Sequence, residues 1–148
     1  MPLPDPKPQA RPHRPAKMTV YFDGSCPLCT VEIGHYARQP GAEGIDFVDV
    51  SAGDADLGPG LTREAAMRRF HVRRGDGRLV SGARGFVAIW QVLPRWRRAA
   101  RLAALPGVTR LMEAAYRLFL PIRPALSRLA GALGARAATP RSGGRPGR

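Results

Sequence analysis

The pattern of apolar and polar positions sets in at Met18. Met18-Thr19-Val20-Tyr21-Phe22 is a short β-branched and aromatic run, and it predicts a buried strand. Asp23-Gly24-Ser25 ends it. A helix is expected from about Pro27 to Arg38, with Pro27 in a first-turn position where its missing N–H costs nothing. Pro40-Gly41 closes that helix, and Ile45–Val50 reads as a second strand. After a Gly/Asp/Pro loop over 51–60, Thr62 caps a short helix running through Met67, with Glu64 in its first turn. Phe70–Arg73 and Leu79–Ser81 flank Gly75-Asp76-Gly77, which signals a hairpin. From Arg84 onward the spacing is helical. One helix covers about Gly85–Leu93 and resumes to Ala104. Pro106-Gly107 breaks the chain, and two further helices follow over Val108–Leu120 and Pro124–Leu133.

Strand, helix, strand in the first half implies a parallel pair joined by a right-handed crossover, and the later hairpin adds an antiparallel edge. The expected architecture is an α/β fold: a small mixed four-stranded sheet, flanking helices and a helical C-terminal extension. The 148 residues fit one domain, assigned to 18–134, and they suffice for a core without metals or structural disulfides. Residues 1–17, with six prolines, read as a disordered arm, and 135–148 as a disordered basic tail. The C-terminal helices are expected to bury Phe86, Ile89, Trp90, Leu111, Tyr116 and Leu120 and to keep most arginines outside, their stems laid over apolar surface.

Charge changes this picture only in the second half. The net charge is +13, yet residues 18–77 carry six basic and nine acidic side chains, while residues 78–148 carry fourteen Arg and one acid, Glu113. A half so basic suggests an anionic partner, nucleic acid or a membrane surface, reached through Arg-rich helices; a solvated helical surface is the plainer account. The proline-rich start has no apolar leader. The best apolar stretches, Phe86–Leu93 and Leu118–Leu120, fall far short of the ~18–20 residues of a membrane span. The cytoplasm is the expected compartment and a monomer the expected state.

The chain has two cysteines, Cys26 and Cys29, too close in sequence to staple a fold. Their spacing points to redox chemistry or metal binding in a reducing compartment. Cys26 falls at the junction of the first strand and helix, where the first helical N–H groups favour its thiolate, the species that attacks disulfides. Cys29, Ile33 and Tyr36 follow helical spacing, so Cys29 faces an apolar stripe. An exposed attacking Cys26 and a shielded resolving Cys29 are expected. Asp23, three residues ahead of Cys26, either carries the proton of Cys29 or shapes the turn. The alternatives for the pair are inert cysteines or half of a zinc site. A closed zinc site needs four ligands, and the remaining soft candidates are His13, His35 and His71.

Tyr21-Phe22-Asp23-Gly24-Ser25-Cys26-Pro27-Leu28-Cys29 resembles the opening motif of the thiol-disulfide oxidoreductase DCC family. Similar stretches follow in family order: Phe47-Val48-Asp49-Val50, Arg69-Phe70-His71-Val72, Gly75-Asp76-Gly77, Gly82-Ala83-Arg84-Gly85-Phe86, Leu105-Pro106-Gly107, Tyr116-Arg117 and Ile122-Arg123-Pro124. The resemblance spans about residues 18–130. It implies a thioredoxin-like fold, in keeping with the order of elements, and protein-disulfide reductase activity with Asp23, Cys26 and Cys29 as site residues. It implies no cofactor; the implied partner is a disulfide-containing protein or a small thiol. Unlike the wider thioredoxin pattern, no proline stands between Pro59 and Phe70 to precede the third strand. Two other function classes stay open: an Arg-rich binding module for anionic partners, and a redox switch or scaffold.

Overall fold

Alternate residues of strand β1 (Met18–Phe22) serve two separate cores, which places this strand inside the sheet. In the computed structural model, which describes residues 17–134, the sheet has the order β2-β1-β3-β4, with β2 at Ile45–Asp49, β3 at His71–Arg73 and β4 at Leu79–Ser81. β2 runs parallel to β1 in a register that sets Phe22 beside Asp49; β3 and β4 are antiparallel neighbours. Successive side chains point to opposite faces. Val20 and Phe22 therefore join Ile33 and Tyr36 of helix α1 (Pro27–Ala37) and Ile89 of helix α3 (Ala83–Val92) on one face. Tyr21 joins Val50, Leu61 and Ala66 of helix α2 (Arg63–Arg68) on the other. This is the α/β, thioredoxin-like arrangement expected from the order of elements. The arm and tail assigned to disorder lie, apart from Lys17, outside the described residues.

The helices beyond the sheet depart from expectation. A 3₁₀ turn at Pro94–Trp96 leads into α4 (Arg97–Ala103). The two helices expected after Gly107 are one, α5 (Val108–Ala132), which runs through Pro121 and Pro124. Each proline removes one N–H from the helical ladder. Tertiary contacts on both sides of the prolines keep the helix continuous. Before them, Glu113 pairs with Arg69 and accepts from the Ala83 N–H (3.1 Å), and the Tyr116 hydroxyl accepts from the Phe70 N–H (2.9 Å). Among and beyond them, Arg123 and Ser127 reach the cysteines.

The row of α5 turned to the domain is Met112, Tyr116, Phe119, Arg123 and Ser127, at helical spacing. Leu111 sits one residue off that row, so it is 71% exposed rather than buried, and Leu120 is half-buried. Ile89 is buried, and Phe86, Trp90 and Tyr116 are half-buried; Phe70 stacks on Phe86 (centroids 4.4 Å), and Tyr116 meets Phe86 edge-on (6.1 Å).

Candidate functional site

The site is assembled at the carboxyl ends of β1 and β2, where the chain turns twice in the same way. Asp23 Oδ1 accepts from the Ser25 N–H (2.9 Å) and hydroxyl (2.5 Å). One strand over, Asp49 Oδ1 accepts from the Ser51 N–H (2.9 Å) and hydroxyl (2.6 Å). Asp-x-Ser turns of this kind let a short side chain replace a backbone acceptor. Asp49 Oδ1 also takes the Gly24 N–H at 2.8 Å, tying the two turns together. A Cβ on Gly24 would collide with that carboxylate, so the position requires glycine.

The turn delivers Cys26 to the N-cap of α1, with Pro27 in the first helical turn. Three donors converge on Cys26 Sγ: the Cys29 N–H (3.3 Å), the Cys29 thiol (2.7 Å) and the Ser127 hydroxyl (3.5 Å). Donors so placed stabilise charge on the sulfur they face. Thr30, fully buried one turn on, bonds the Cys26 carbonyl (2.9 Å). Both cysteines are free thiols. Cys29 is held protonated: burial pushes its thiol far up, the neighbouring Cys26 and Asp23 add to the effect, and the guanidinium of Arg123 opposes it. The two sulfurs are therefore electrostatically unequal.

Access is not as expected. Cys26, expected to be exposed, is buried at 6% exposure, and Cys29 is half-buried. The cover is α5, whose Ser127 lies on Cys26 and whose Gly131 approaches Pro27. A strand-to-helix corner alone would leave the first cysteine open; here a later helix crosses it.

Asp23 is buried and shapes the turn through Oδ1, while Oδ2 lies 3.6 Å from the guanidinium of Arg123. That guanidinium also donates to the Met67 carbonyl (3.2 Å) and lies 4.0 Å from Cys29 Sγ. Arg123 thus bridges Asp23 and Cys29. Phe22, Asp23, Cys29, Phe70, Tyr116 and Arg123 line part of a cavity of about 40 Å³, room for a water-sized molecule beside the second sulfur. Of the histidines weighed as metal ligands, His35 is exposed, His71 Nδ1 is engaged by the Arg69 carbonyl (2.7 Å), and His13 lies outside the described residues. Among the described residues no three His, Cys, Asp or Glu gather to hold a metal. The described backbone has no cis peptide; the Phe70 N–H at the approach to β3 is taken by Tyr116.

Sequence reasoning missed Arg123, Ser127 and Asp49 as site residues. The signals were faint: an arginine framed by prolines in Ile122-Arg123-Pro124, and Asp49-Val50-Ser51 repeating the spacing of Asp23-Gly24-Ser25.

Comparison with known proteins agrees with this geometry. An uncharacterised chloroplastic protein of Arabidopsis thaliana is 31% identical over 90 residues, covering 59% of this chain and 40% of that protein, so the chain spans about two fifths of this relative's length. No solved structure matches. The DCC1-like thiol-disulfide oxidoreductase family matches residues 20–129, from the first strand to past Ser127, and takes in the free Cys26–Cys29 pair together with Asp23, Arg123 and Ser127. The chain therefore belongs to the DCC1-like thiol-disulfide oxidoreductase family.

Proposed function

We propose that the chain is a protein-disulfide reductase in which Cys26 attacks and Cys29 resolves, working as a monomer in a reducing compartment, the cytoplasm. The observation that carries it is the inequality of the two sulfurs: three donors face Cys26 Sγ at the N-cap of α1, and one of them is the thiol of Cys29, which keeps its proton while Cys26 accepts.

The Cys26 thiolate attacks one sulfur of a substrate disulfide. The substrate S–S bond breaks, a Cys26–substrate mixed disulfide forms, and the departing substrate sulfur takes a proton. Cys29 then loses its proton, with Asp23 the nearby carboxylate to receive it, and attacks Cys26 Sγ. The second substrate thiol leaves, and the Cys26–Cys29 disulfide remains. The substrate gains two electrons and the pair loses two; an external thiol or dithiol must return them. Arg123 offsets the negative charge that develops on Cys29. Since α5 covers Cys26, the far half of α5 must yield before a protein disulfide can reach the sulfur.

The test is trapping. Cys29→Ser should accumulate mixed disulfides through Cys26, identified by mass spectrometry of intact adducts from cells. Cys26→Ser should form none, and in the native protein iodoacetamide should label Cys26 before Cys29. Equal labelling, or an absence of adducts in Cys29→Ser, sinks the proposal.

A further inference from the structure

Helix α5 is 25 residues long, and none of them is buried, although one side of it packs on the domain. On the side turned away lie Leu111, Leu118, Ile122, Leu126, Leu129 and Leu133, all between 38% and 80% exposed. Their spacings of seven, four, four, three and four residues keep them on one face of a helix with 3.6 residues per turn. The apolar arc of α5 is thus wider than the arc the domain covers, and a stripe of six large aliphatic side chains, the last at the C-cap, is left uncovered by the described residues.

Arg110, Arg117 and Arg128, all exposed, line one flank of the stripe, seven and eleven residues apart and so in register along the helix. Among the described residues no acid stands free on this surface. Glu113, the single carboxylate from residue 78 onward, is turned to the domain and bound by Arg69, the Ala83 N–H and, from the edge of the row, Arg117 (3.3 Å), which leaves Arg110 and Arg128 as the row's arginines without this partner. Residues 95–101, just ahead of α5, add Arg95, Arg97, Arg98 and Arg101, each exposed.

We propose that this face of α5 docks on the surface of an anionic phospholipid bilayer, the helix lying in the interface with its aliphatic row among the acyl chains and its arginine row at the headgroups. A row of large aliphatics beside a row of cations with no free carboxylate is the composition that binds such an interface. No described helix is long and apolar enough to cross a membrane, so the helix lies on the bilayer. A second copy of the chain fits less well. Pairing stripe on stripe would bring two arginine-flanked surfaces together with no acid to relieve them, in a chain of net charge +13.

The experiment is flotation of the full chain with phosphatidylcholine vesicles containing or lacking phosphatidylserine. The wild type should bind the anionic vesicles and not the neutral ones. Leu111→Asp with Leu118→Asp changes two side chains over 70% exposed and should keep the melting temperature while losing roughly tenfold or more of the binding. Arg110→Gln with Arg128→Gln should lose about fivefold per arginine removed. Binding that survives Leu111→Asp/Leu118→Asp would reduce the effect to diffuse charge attraction and overturn the proposal. So would equal binding to neutral vesicles, no binding to either, or a wild-type dimer that this variant makes monomeric.

Discussion

Replacing Arg123 tests the site at the point where its electrostatics are most lopsided. Burial, Cys26 and Asp23 all hold the Cys29 proton on, and Arg123 is the charge that opposes them. At 4.0 Å from Cys29 Sγ, a unit charge is worth about 1 kcal/mol in water and about 4 kcal/mol at an effective dielectric of 20, or roughly one to three pH units. Arg123→Met should raise the Cys29 thiol further by that amount and cut its thiolate population about ten- to a thousandfold. Part of the loss is returned, because a more basic thiolate is a better nucleophile with a Brønsted slope of about 0.4–0.5; the resolving step should slow about 3- to 60-fold. An aromatic disulfide that releases a coloured thiol separates the steps: the first equivalent reports attack by Cys26, the second resolution by Cys29. The second phase should slow and the first change little. The sign also fixes the pH dependence: the Cys29 thiol lies far above its usual range in both proteins, so the second phase should speed up with pH in each while the deficit of the variant stays constant. Arg123→Lys should recover part of the rate. Asp23→Asn splits the two roles of Asp23, since loss of a proton acceptor slows the second phase while loss of a repelling charge speeds it. Equal slowing of both phases in Arg123→Met, or a second phase that does not speed up with pH, would refute this account of Arg123.

Two further outcomes are expected. Gly24→Ala should destabilise the fold by about 2 kcal/mol or more, because its Cβ meets the Asp49 carboxylate; adding Asp49→Ala should return part of the loss, read as a non-additive melting-temperature cycle. Burial disfavours the charge on Glu113, but hydrogen bonds from Arg69, the Ala83 N–H and Arg117 outweigh it and hold the carboxyl below its usual range. A carboxyl depressed in the fold stabilises at neutral pH and ceases to as pH falls through its folded value, so melting temperature should fall less steeply with acid in Glu113→Gln than in the wild type.

What the sequence made legible follows from how local each signal is. The strand Met18–Phe22, the N-terminal turn of α1 with Pro27, and the hairpin around Gly75-Asp76-Gly77 are written in neighbouring residues, and the structure has all three. Cys26 at the N-cap is legible for the same reason. Its burial is not, because Ser127 lies 101 residues away, and no local pattern announces which helix will cross a turn. Arg123 was hidden by its own composition: one arginine among fourteen in the second half, between two prolines that locally argue for a break. Periodicity ended a helix at Leu120 and restarted it at Pro124, whereas tertiary contacts at Tyr116, Arg123 and Ser127 outweigh two missing backbone donors.

These contacts put opposing demands on α5. Its inward row supplies Ser127 to Cys26 and Arg123 to Cys29, so the inequality of the sulfurs needs the helix in place. Its position also buries Cys26, so attack on anything larger than a small disulfide needs the helix moved. No residue of the helix is buried although it packs against α1, α3 and α4, and segments that bury little open at a cost below global unfolding. The anchors Glu113 on Arg69 and Ala83 and Tyr116 on Phe70 lie before Pro121, Arg123 on Asp23 and Met67 lies between the prolines, and the segment that covers Cys26 lies beyond Pro124. Two missing helical N–H groups separate the anchored half from the covering half. Motion beyond the prolines would therefore uncover Cys26 and carry Ser127 with it, leaving Arg123 beside Cys29 and Cys26 facing its substrate with the donors of its own helix, the Cys29 N–H and thiol.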